Sequence, residues 1–118
     1  MVVSAYWTRG KLAARQKESR RVGDLVQVAL DTLRNQELAH HTDPVSVPHA
    51  YLSSLHLRDL ILQDELSIPV RRRVWDKVEK IVEGNTNVRA NVEELEGGDE
   101  GRVWRWIGSA HRKNIQSP

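Results

Sequence analysis

Five cations fall within ten residues: Arg71, Arg72, Arg73, Lys77 and Lys80. On one helix they would offer guanidinium forks and point charges to phosphate or carboxylate. That is how a recognition helix grips a DNA major groove, or how a basic face meets an acidic protein. The same stretch carries Asp76, Glu79 and Glu83, and Arg72 stands four residues before Asp76, the ordinary spacing of a solvated, ion-paired helix. A second cluster has the opposite sign. Glu93, Glu94, Glu96, Asp99 and Glu100 surround the glycine pair 97–98. Facing a phosphate backbone, these five acids would cancel much of what three arginines gain by releasing counterions. A third cluster lies at the start of the chain. Arg9, Lys11, Arg15, Lys17, Arg20 and Arg21 stand against Glu18 alone, so residues 1–21 carry +5 and the remaining 97 residues −3. A polybasic segment of this kind holds anionic lipid or DNA with little specificity.

Other chemistry finds no foothold. The chain has no cysteine, which excludes a disulfide scaffold and cysteine-ligated zinc. Histidines 40, 41, 49, 56 and 111 are not spaced to put two ligands on one helix face. There is no Gly-rich phosphate loop and no nucleophile beside a base at a recognised spacing. No catalytic residue, metal or cofactor is therefore expected. The charged clusters point to binding.

Helices and a hairpin must position these clusters. Val22, Leu25, Val26, Ala29, Leu30 and Leu33 make one apolar stripe and predict a first helix over about 21–38, stopped before Pro44. A short extended piece is predicted near 53–56. A short helix follows over 57–63, with Leu57, Leu60 and Ile61 inward. A third helix opens at Ser67-Ile68-Pro69, with Val70, Val74, Trp75, Val78, Ile81 and Val82 as its buried stripe. Gly84 stands where a left-handed end residue is wanted. The period then changes from 3.6 to 2. Val88, Ala90 and Val92 alternate with polar residues, glycines mark a turn, and residues 102–107 alternate again with Trp104 and Trp106 on one face. No apolar run exceeds three residues, so nothing spans a bilayer. Trp75, Trp104 and Trp106 read as scaffold, and Trp7 as an interface anchor or a packing residue of the arm. The order is that of an α+β winged helix: three helices and a C-terminal hairpin wing, preceded by a basic arm.

Three segments carry a family resemblance. They are Val74-Trp75-Asp76-Lys77-Val78, Asn85-Thr86-Asn87-Val88-Arg89 and Gly101-Arg102-Val103-Trp104-Arg105-Trp106-Ile107. With Leu55 to Ile61 and Gly23 to Leu33, they make residues 20–108 similar to the Man–Src carboxy-terminal domain of LEM- or HEH-type inner nuclear membrane proteins, in its fungal form. The resemblance implies a nucleoplasmic domain that follows a transmembrane helix, and the chain reads as a soluble piece beginning just after one. It divides into a juxtamembrane arm (1–21), the winged helix (22–108) and a polar tail (109–118). The resemblance further implies recruitment and activation of a nuclear ESCRT-III-like subunit for sealing and surveillance of the nuclear envelope. Weak DNA or chromatin tethering is the alternative, anionic lipid a partner for the arm, and a monomer the expected state in isolation.

Overall fold

A computed structural model describes residues 2–108, with side chains from Ala14 onward. The polar tail with His111, and the side chains of Trp7, Arg9 and Lys11, lie outside the described residues. The elements run α1 (Val2–Thr42), β1 (Tyr51–Ser53), α2 (Ser54–Ile61), α3 (Ile68–Glu83), β2 (Val88–Glu94) and β3 (Glu100–Trp106). Three helices and a three-stranded antiparallel sheet in the order β1-β3-β2 form the α+β winged helix expected from the periodicity.

Helix α1 extends the predicted span at both ends. The stripe from Val22 to Leu33 is buried or half-buried as its spacing requires. The basic arm is not a separate segment but continues the same helix, tied down by Glu18 and Arg21. Gly23 lies inside α1, where glycine is roughly 1 kcal/mol less favourable than alanine. A Cβ built on it would meet nothing within 4 Å.

Strand β1 and helix α2 come earlier than predicted. Ser53 ends the strand and caps the helix, its hydroxyl accepting the His56 amide at 3.4 Å. Leu57 is buried and Ile61 packs partly buried against the core as expected, but Leu60 is half exposed, and Leu62, just past the helix end, is buried.

Ser67 caps α3 by accepting the Val70 amide, and Pro69 sits in the first turn. Val74, Trp75, Val78 and Val82 are buried, but Ile81 is 51% exposed. Gly84 is right-handed (φ −80°), not left-handed as expected. Its amide donates to the Lys80 carbonyl, and a Cβ there would lie 3.1 Å from that oxygen. Close approach, not a positive φ, suits glycine at this position. The positive φ values belong to Gly97 (96°) and Gly98 (90°) in the wing turn.

Strand β3 is the centre of the sheet. Trp104 lies opposite Leu52 on one side and Ala90 on the other. It is fully buried, stacks on Trp75 with centroids 5.5 Å apart, and donates its indole N–H to Glu83 at 2.8 Å. Trp106 is buried with the same core, and the Arg34 guanidinium lies over its ring. The wing leaves the core early: Val88 is buried, but Val92 is 61% exposed.

Candidate functional site

The exposed side of α3 follows from its buried side. With Val74, Trp75, Val78 and Val82 turned inward, a 3.6-residue period leaves Arg72, Arg73, Asp76, Lys77 and Lys80 outward, and Ile81, on the flank of the buried stripe, is exposed beside them. The five cations singled out from the sequence do not form one free face. Arg71 is half-buried. Its guanidinium lies 3.9 Å from Asp59, which also pairs with Arg58 at 3.0 Å, and its Nε is buried without a partner. Arg73 donates to Glu18 of α1 at 2.8 Å, and Lys77 binds the other oxygen of the same carboxylate. Arg72 and Lys80 are exposed and make no ion pair among the described residues. The expected Arg72–Asp76 pair is absent from those contacts: both side chains stand exposed in water, where such a pair gains little.

Glu18 organises this region, and its carboxyl group is held below the usual range. The hydrogen bond from Lys77 is the largest cause and that from Arg73 the next, against a smaller opposing effect of burial. Arg21, one turn on, donates to Glu65 at 2.6 Å and lowers that carboxyl in the same way. Arg15, Lys17 and Arg20 are exposed on the same helix.

The wing acids behave differently. Glu93, Glu94, Glu96, Asp99 and Glu100 are all exposed, and none forms an ion pair among the described residues. Glu94 stands directly across the ladder from Glu100. Like charges so placed repel.

Three carboxylates to which the sequence pattern gave no structural role hold the scaffold. Glu37 is buried on α1 and accepts two hydrogen bonds from Arg105 on β3, at 3.0 and 3.2 Å, and one contact from His41 at 2.8 Å. Burial pushes its carboxyl up, but Arg105 and His41 outweigh that and leave it lowered, while Arg105 is raised. Glu83 joins the end of α3 to β3 through Arg102 and Trp104. Glu18 is the third. Its signal in the sequence was its isolation as the single acid among the arm's cations.

Three helices, a β1-β3-β2 sheet and a charged third helix beside an acidic wing define a winged-helix domain. The chain belongs to the Man1-Src1p-C-terminal domain family, whose model matches residues 1–109. The match therefore takes in the arm, where the resemblance read from the sequence began near residue 20. The chain is 31% identical over 99 residues to the inner nuclear membrane protein SRC1 of Saccharomyces cerevisiae, a fungal relative. That alignment covers 83% of this chain but 12% of the relative. No solved structure matches. The chain is thus a domain of a nuclear envelope protein, located at the inner nuclear membrane. Among the described residues no helix is long and apolar enough to cross a membrane.

Proposed function

We propose that this domain is a non-enzymatic, nucleoplasmic docking module that recruits and activates a nuclear ESCRT-III-like subunit for sealing and surveillance of the nuclear envelope. It would capture one helix of that subunit and draw it out of a closed state, shifting the population toward the polymer-forming one. The observation that carries this reading is the Glu18 clamp. On the helix that would enter a DNA groove, Arg73 and Lys77 already share a carboxylate of their own chain. The unpaired wing acids add repulsion toward any duplex that spanned helix and wing. A protein partner tolerates both features, because it can meet positive and negative patches separately.

Chromatin tethering is favoured by one specific observation. Arg72 and Lys80 are exposed cations on α3, and Arg15, Lys17 and Arg20 extend positive charge along α1. DNA binding on this footing is weak, salt-sensitive and carried mainly by α1. The same residues suit anionic lipid where the arm meets the membrane. The test is a pull-down of the 118-residue chain against a DNA duplex and against the ESCRT-III-like subunit at physiological salt. Retention of the subunit, with DNA lost, is the expected result. Sequence-specific DNA binding without the subunit would overturn the reading.

A further inference from the structure

Between α1 and α3 runs a groove of about 480 Å³ lined by Ser19, Val22, Gly23, Lys77, Lys80 and Ile81. Three of its features find no partner among the described residues. Ile81 belongs by period to the buried stripe of α3, yet half of it faces solvent. Lys80 is exposed beside it, with no counter-ion among the described residues. Gly23 weakens α1 where no neighbour requires it, since a Cβ would meet open space. Local rules broken without an internal reason mark functional positions.

We propose that this groove is the docking site for an amphipathic α-helix whose apolar stripe is flanked by carboxylates; the inference rests on the protein-interaction reading above and names the surface. Each unexplained feature specifies one property of the occupant. Ile81 and the apolar floor at Val22 call for an apolar stripe. The bare backbone at Gly23, one turn from Ser19, lets another element approach α1 closely. Lys80 calls for a carboxylate beside the stripe, extending by one turn of α3 the pattern that Glu18 begins at Lys77. A helix fits because its backbone hydrogen bonds are satisfied internally. An extended peptide would need a sheet edge, and this groove lies between two helices. DNA would have no use for Ile81 or for the gap at Gly23.

The test uses the full 118-residue chain with a fluorescent helical peptide bearing a leucine stripe and glutamate flanks, a matched peptide with lysine flanks, a DNA duplex, and the ESCRT-III-like subunit. The glutamate-flanked peptide should bind and the lysine-flanked one should not. Gly23→Leu should weaken binding by about tenfold or more, as should Lys80→Glu, while Gly23→Ala stays within a few-fold. Because nothing crowds position 23 and both replacements are better helix formers, circular dichroism and Tm should be unchanged or improved for the two Gly23 variants. Binding by Gly23→Leu equal to the parent, equal binding of the two peptides, or no peptide binding at all would overturn the groove. So would DNA, or a second copy seen as a change in mass by light scattering, as the ligand that Gly23→Leu displaces. If the subunit binds the parent and Gly23→Leu alike, the groove is wrong and the partner reading stands. If the peptide obeys the groove and the subunit never binds, the groove stands and the named partner falls.

Discussion

Along the seam between α1 and α3, Glu18 holds Arg73 and Lys77, and Arg21 reaches Glu65; in the wing, Glu94 stands opposite Glu100 and none of the five acids forms an ion pair among the described residues. The two regions look equally charged in the sequence. In the seam the Glu18 and Glu65 side chains are only 19% and 17% exposed, so leaving either carboxylate without a cation would weaken the fold. In the wing the side chains stand in water, where screening makes unpaired charge tolerable. Charge satisfied from within reads as architecture, and charge left unsatisfied is available to a partner. By that criterion Lys80, Arg72 and the wing acids are the available groups, while Arg73 and Lys77 are mainly architectural.

The harshest way to break the comparison is to detach the wing from the seam. Trp104 is fully buried, stacked on Trp75 and bonded to Glu83, so it links β3 to α3. Trp104→Ala should cost about 3–5 kcal/mol, read as a shift of the denaturation midpoint. A loss under about 1 kcal/mol would contradict the observed strand phase.

Acid separates the regions more gently. Glu18, Glu37 and Glu65 have carboxyl groups lowered in the folded protein. The unfolded chain therefore takes up protons first. The stability these groups contribute is present above the ordinary glutamate value near pH ~4.3 and is lost as pH falls through their lower folded values. Melts from pH 7 to 3 should show this fall, and Glu37→Gln should blunt it.

Glu18→Gln sharpens the comparison at the seam itself. Loss of a bridge at the edge of the core should cost below about 1 kcal/mol. It should also free Arg73 and Lys77, raising non-specific DNA affinity and steepening the log K against log salt slope by up to about 2. An unchanged slope would mean the clamp does not withhold these cations.

The smallest effect is expected in the wing. Glu100→Lys replaces a like-charged cross-strand pair with an opposite one and should stabilise by roughly 0.2–1 kcal/mol. Glu96→Lys with Asp99→Lys should leave subunit recruitment within a few-fold, whereas Arg72→Glu with Lys80→Glu should abolish it. The reverse ranking would move the interface to the wing.

Much of the scaffold was legible from the chain alone. The Val22–Leu33 stripe, the switch to period 2 after Gly84 and the shared face of Trp104 and Trp106 were legible because burial of a face stamps its period on neighbouring residues, although Val103 is buried on the other face of β3. The Ser67-Ile68-Pro69 start was legible because capping is local. Ile81 and Leu60 escaped that reading. Period places a residue on a side of its helix but does not say whether a neighbour covers it there.

The contacts that give the site its character lie between distant residues. Arg73 and Lys77 stand 55 and 59 positions from Glu18, and Arg105 stands 68 from Glu37. The chain by itself determined which elements form and which faces they bury, since propensity, capping and periodicity act over a few residues. Only the tertiary structure decided that the arm is the first half of α1, which cations are neutralised, and that a groove stays open beside Gly23. Those outcomes depend on how helices far apart in sequence are packed, and electrostatic pairing follows distance in space, not position along the chain.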